Sequence, residues 1–296
     1  MKGKARGSAD SRGRELDMMD YESMKKFAKR VEGELEKLDV VCLNAGLMAA
    51  RFEVSAYGWE RDIQVSITTP HSFTLKIPCS RSSDQTNLLS TVYLSLLLLP
   101  KLLQISKIAS TPPVFELVSS GTHYQISLPP EARSATSPIE YFNSSATFRT
   151  FEQYSITKLF LQHCQTHLCH LFPSDPPPVS IITVCPGAVE TGISRELDGW
   201  LVGIGKRVVG PLIMKAPEQG ARTYISGIGL GVEGHGKFWT ADRIKEPAPL
   251  LLGKGNEKFG KKVWEDVLRI LRRDVGEGEV DGVLKRIQRA CSEEEV

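Results

Sequence analysis

The chain predicts an α/β fold built around a parallel sheet, and three observations carry that reading. Three short apolar runs without alternation, at 38–43, 114–118 and 179–184, have the pattern of strands buried on both faces. Each run ends on a turn-forming cluster: Asn44-Ala-Gly46, Ser119-Ser-Gly121 and Cys185-Pro-Gly187. Stretches of helical periodicity separate them, and such an alternation needs crossovers that lay helices on the faces of the sheet.

The elements follow in order. Residues 1–14 hold five basic side chains, one acid and no apolar stretch, and read as a disordered arm. A helix comes next, capped by Asp20 or Ser23, with Met24, Phe27, Ala28, Val31 and Leu35 at helical spacing. After the 38–43 strand, helices are predicted at 88–103, 154–171 and 218–226, each leading into a strand, the last a weaker one at 237–240. The tail, 257–288, is charged and amphipathic and reads as a surface helix pair. One segment does not fit. Residues 65–85 are rich in Ser, Thr and Pro, and they split what would otherwise be one amphipathic helix between Gly58 and Leu94. They read as a retained intron, because Val65-Ser66 and Gln85 can be encoded by donor-like and acceptor-like splice sequences; a genuine surface loop is the plainer alternative.

Composition narrows the class. With 41% hydrophobic and 24% charged residues the chain is globular, and a net charge of +2 supplies no global field for nucleic acid or anionic lipid. Six scattered cysteines without a CxxC pair imply reduced thiols and a cytoplasmic setting. The longest apolar run, at 92–103, is interrupted by Ser95, Pro100 and Lys101 and is shorter than the roughly 20 residues of a membrane span. No secretory signal opens the chain; a transit peptide stays as the minor alternative.

The residues that could carry chemistry begin with Tyr154-Ser-Ile-Thr-Lys158. At i and i+4 on a helix the phenol and the ammonium share a face. A cation about 4 Å away stabilises a phenolate by about 4 kcal/mol at an effective dielectric of about 20, which would bring the phenol towards working pH. A YxxxK pair alone is common, and an exposed helix pair explains it as well. Its order with the other signals gives it weight: Asn44 and Gly46 after one strand, Asn87 heading a helix, Ser120 after the next strand, and Pro186-Gly-Ala-Val-Glu-Thr191 after the third. All fall at the carboxyl ends of strands, where open α/β sheets bind ligands.

In this combination the sequence resembles the short-chain dehydrogenase/reductase family, over about residues 16–251, and within it a retinol-dehydrogenase-like branch common in filamentous fungi. The resemblance implies a Rossmann-like doubly wound parallel sheet, an NAD(P)-dependent exchange between a carbonyl and a secondary alcohol, and a small, largely apolar substrate, a secondary metabolite being one candidate. By the same resemblance Tyr154 is the general acid or base, and Lys158 tunes it and binds the nicotinamide ribose. Ser120, rather than Ser119, polarises the substrate oxygen, and Asn87 holds a relay water. Asn44 and Gly46 lie near the cofactor ribose; Pro186, Gly187, Val189 and Thr191 line the carboxamide; Asp17 matches the acid near the adenine ring, with a surface acid as the equal alternative. Whether the cofactor is NADP or NAD stays open.

Two departures stand against the pattern. The 121–149 stretch between Ser120 and Tyr154 is long and reads as a substrate-side loop. More seriously, the family's first strands and its glycine-rich phosphate loop should precede Glu15, and Gly3, Gly7 and Gly13 follow no apolar strand. The sequence therefore reads as N-terminally truncated, with a non-catalytic remnant as the rival to a working enzyme. The remainder have plain readings. His163, His167 and His170 read as interface or solvated histidines on a helix that in this family often forms a homodimer, and not as a metal site; residues 200–214 read as an apolar substrate wall; Cys185 reads as a small buried residue. The transcript tests the reading of 65–85: the mature message is expected to lack these codons, and a message that keeps them rules the intron out.

Overall fold

The computed structural model describes residues 16–44, 48–49, 51–64, 88–189 and 214–292. A five-stranded sheet runs in the order β1 (Val40–Leu43), β2 (Val114–Val118), β3 (Ser180–Cys185), β4 (Phe238–Thr240) and β5 (Arg243–Lys245). The first four strands are parallel, in a register that sets Val40 beside Val114, Val114 beside Ser180 and Thr183 beside Phe238. The sequence did not signal β5, which folds back antiparallel on β4 through Ala241 and Asp242, both at positive φ. Among the described residues no strand lies beyond β1, so it forms one edge of the sheet.

Alternation along β2 and β3 divides their side chains between two layers. Phe115, Leu117 and Ile181, with Val41 and Leu43 of β1, join the main core beneath α3 (Leu89–Ser106) and α6 (Thr150–Cys169). Val114, Ile182, Val184 and Trp239 face the other way, against Tyr224 and Ile228 of α7 (Pro217–Ile228). Helices on both faces explain why the strand sequences are apolar throughout rather than alternating. At Gly227 of α7 an added Cβ would come within 2.8 Å of Val184, so a side chain there would push the helix off the sheet.

The helix α3 is apolar on every side because both of its sides are covered, by the sheet and by α1 (Tyr21–Glu34) and α9 (Glu277–Ser292). By length and composition alone it could cross a membrane, yet 78% of it is buried in this fold, as befits a core helix. Asp20 caps α1 by accepting from the Glu22 amide at 2.9 Å.

The structure fills in three expectations. The 121–149 stretch carries structure of its own: a 3₁₀ turn (Gly121–Tyr124) and two short helices, α4 (Pro130–Ser134) and α5 (Pro138–Phe142), numbered after a short α2 at Arg61–Gln64. The tail is the amphipathic helix pair expected, α8 (Lys254–Val275) and α9, whose apolar faces bury Phe259, Val263, Val267, Ile270, Val280 and Ile287 against α6 and α3. Of the three histidines only His170 is exposed, as expected, while the other two pack against α8. His163 is buried so closely under α8 that a Cβ on Gly260 would lie 2.4 Å from its Nδ1, and His167 stacks on Trp264 at 5.8 Å.

Asp266 of α8 ties the substrate-side stretch to this helix, accepting from Ser137 Oγ at 2.6 Å and from the Ile139 amide at 3.1 Å. Asp266→Ala leaves both donors buried without an acceptor and is expected to cost about 2 kcal/mol in urea unfolding. Removing its half-exposed partner Arg269 should cost well under half as much.

Candidate active site

The site forms where β2 and β3 end against α6. Tyr154 and Lys158 lie one turn apart on α6 and are 8% and 1% exposed. Lys158 Nζ donates to the Val118 carbonyl, the last residue of β2, at 3.0 Å. Two residues on, Ser120 opens the 3₁₀ turn, and its side chain lies close enough to Tyr154 to favour the phenolate. The Ser120 Oγ also accepts from the Thr122 amide at 3.3 Å and from Thr122 Oγ1 at 3.2 Å. Ser119 points elsewhere: its Oγ accepts from Gln162 Nε2 at 2.9 Å inside the core.

The electrostatics differ from the sequence expectation. Burial pushes the Tyr154 phenol up, with the nearby Ser120 hydroxyl opposing and Cys185 and Asp62 adding to the rise. The Lys158 amine stands 5.6 Å from the centroid of the Tyr154 ring. Burial lowers Lys158 itself to about 8, with Cys185 and Asp62 opposing. The phenol is therefore held neutral, as a proton donor.

The remaining positions are brought in unequally. Asn44, just past β1, accepts from the Tyr224 hydroxyl at 2.8 Å, which fixes its amide against α7. Gly187 adopts φ +85°, a turn open to glycine, and the Pro186 carbonyl accepts from Lys215 Nζ at 3.4 Å. Val189 pairs its backbone with Lys215, while its side chain packs on α7 so tightly that a Cβ at Gly220 would lie 2.6 Å away. Its side chain thus lines the helix contact and not an open site. Asp17 turns its carboxylate onto the Met19 amide at 2.8 Å, an exposed Asx turn before α1. Gly46, Asn87, Thr191 and the wall at 200–213 lie outside the described residues.

Sequence reasoning missed several groups around the site. Cys185 Sγ accepts from the amides of Gly121 and Gly187 at 3.3 and 3.4 Å, joining the ends of β2 and β3. Glu60 and Asp62 are buried carboxyls: the first receives Gln153 Nε2 at 2.7 Å, beside Tyr154, and burial raises it to about 7. Their signal was weak, since acids between Trp59 and Ile63 look like an ordinary helix start.

An open parallel α/β sheet with a serine, a tyrosine and a lysine converging at its carboxyl edge defines a class of oxidoreductase. No protein-family model matches the chain. Curated fungal proteins do. The short-chain dehydrogenase/reductase phmF of Phaeosphaeria nodorum is 30% identical over 259 residues, covering 88% of this chain and 69% of its own. The short chain dehydrogenase yanD of Aspergillus niger is 30% identical over 260 residues (86% and 71%), and opdN of Penicillium oxalicum is 34% identical over 231 residues (75% and 67%). Among solved structures, an uncharacterized protein from Mycobacterium paratuberculosis aligns with a TM-score of 0.48 at 17% identity, over 88% of this chain and 75% of its own. The chain belongs to the short-chain dehydrogenase/reductase family.

A buried lysine with a lowered pKa destabilises the fold wherever it is charged. The unfolded chain binds the extra proton between pH about 8 and the ordinary lysine value, so stability rises with pH across that window. Lys158→Met removes the titrating group, and calorimetry from pH about 8 to about 10 is expected to show that this rise in stability is lost.

Proposed function

We propose that the chain interconverts a carbonyl and a secondary alcohol on a small, largely apolar substrate, with NADP or NAD as cofactor. The observation that carries this reading is the convergence of Ser120 and Tyr154 beside a buried lysine that is tied to the end of β2. A bound nicotinamide cofactor supplies the hydride chemistry.

The residues fit the nicotinamide end of such a cofactor. Lys158 and Tyr154 offer polar groups to a ribose, and the exposed Gly187 turn presents bare backbone, a Cβ there meeting nothing nearer than the Lys215 amine at 3.4 Å. Among the described residues no glycine-rich loop follows a strand, so the cradle for a pyrophosphate is not part of them.

Tyr154, neutral because it is buried, donates its proton to the substrate oxygen as negative charge develops there. Ser120 hydrogen-bonds the same oxygen and polarises the carbonyl, and Lys158 carries positive charge below pH about 8 behind the phenol. Phe151, one turn before Tyr154, is 68% exposed and offers an apolar contact beside it, which favours an apolar substrate. The free thiols of Cys42, Cys164, Cys169, Cys185 and Cys291 support a reducing, cytoplasmic setting. A non-catalytic remnant draws no support from relatives named as dehydrogenases.

Ketone reduction with NADPH and NADH, followed by nicotinamide absorbance, tests the proposal. Tyr154→Phe is expected to lower kcat by about 10²-fold or more. A Phe variant as fast as its parent overturns the assignment.

A further inference from the structure

Resting on that reading of the site, we propose that His123 is a positioning residue for Ser120, its imidazole donating from Nδ1 to the Ser120 carbonyl and so fixing where the serine hydroxyl meets Tyr154. His123 lies three residues after Ser120, inside the same 3₁₀ turn, and its Nδ1 stands 2.5 Å from that carbonyl oxygen. The ring is 1% exposed. It packs edge-on to Phe238 of β4 at 5.0 Å and lies 4.4 Å from the Tyr124 ring, so two neighbours fix its plane.

A carbonyl oxygen can only accept, which assigns the proton to Nδ1. The other nitrogen, Nε2, is buried and has no hydrogen-bond partner among the described residues. An unpaired buried nitrogen is a cost that an apolar ring of similar size would avoid. The imidazole therefore serves the fold through one atom, and that atom holds Ser120. Burial lowers the ring to about 4, with the Ser120 carbonyl opposing and the Lys245 ammonium, 3.5 Å from the Tyr124 ring centroid, adding to the fall.

The remaining contacts of Ser120 leave this role open. Thr122 fixes its Oγ, and Cys185 Sγ holds the amide of Gly121, the next residue along. The bond to His123 supplies the third anchor, on the carbonyl, and with it the peptide plane after Ser120 can no longer rotate.

Two variants separate positioning from packing. His123→Phe keeps the ring and removes the donor, whereas His123→Asn offers an amide N–H near the place of Nδ1. The Phe variant is expected to lose about tenfold in kcat for ketone reduction with the cofactor KM little changed, and the Asn variant to recover most of it. A Phe variant with the parental kcat, or an Asn variant as impaired as Phe, overturns the role. The second measurement needs no turnover: ¹⁵N spectra of the histidine ring in the full chain. They are expected to show a protonated Nδ1 and a bare Nε2 from pH about 5 to about 8. A ring that titrates in that range, or carries its proton on Nε2, overturns the inference. An inert parent that keeps the Nδ1–H signature instead counts against the catalytic reading, while the bond to Ser120 stands.

Discussion

The bond from Lys158 to the Val118 carbonyl sets the register on which the site depends. Its donor lies one turn beyond Tyr154 on α6, and its acceptor lies two residues before Ser120 at the end of β2. A single contact thus brings the two hydroxyls together, because each is a fixed short distance along a rigid element from one of its ends. The stripe continues along the helix at i+4 and i+7. Gln162 bonds Ser119 and Thr183, and Gln165 bonds Thr183 and the Lys237 carbonyl. Apolar side chains would tolerate a helix sliding along the sheet, whereas paired donors and acceptors in a dry layer do not.

This arrangement holds unfavourable groups in the interior. A buried amine and a buried phenol are both pushed towards their neutral forms, and Glu116, receiving Cys42 Sγ at 3.2 Å on the far face of the sheet, is pushed up to about 8 in the same way. An apolar core of equal volume would be more stable. Polar groups kept in a dry site despite their desolvation cost have the character of a site preorganised for proton transfer, where charge appears only in passing.

Much of this was legible in the amino-acid order, for a physical reason. A strand covered on both faces must be apolar at every position, so β1, β2 and β3 announced themselves, and the Tyr154–Lys158 spacing is a property of any helix. What could not be read depends on contacts distant in sequence. The strand β5 turns on Ala241-Asp242, which adopts positive φ without the Asn-Gly or Asp-Gly signal of such hairpins. The short helices of 121–149 have Pro at their starts, but their place is set by Asp266, more than a hundred residues away. Glu60, Cys185 and His123 gain meaning only from the backbone groups they meet. Spacing puts Lys158 on the same face as the phenol but says nothing of the burial that opposes its pull.

The same helix is also closed on its outer side. Family resemblance suggested a surface for a second copy there, yet Gly260 of α8 sits against the His163 ring, Phe259 lies edge-on to it at 5.8 Å, and Trp264 stacks on His167. Glycine at 260 is what lets the two helices approach, since any Cβ would strike the imidazole. Two copies could meet across α6 only after α8 had swung away and bared Phe259, Val263 and Val267, all now in the core. That exposure opposes such a pairing through the hydrophobic effect itself. With α6 fixed to the sheet by its polar stripe and packed through His163 and His167 against α8, the helix that carries Tyr154 is held from both sides.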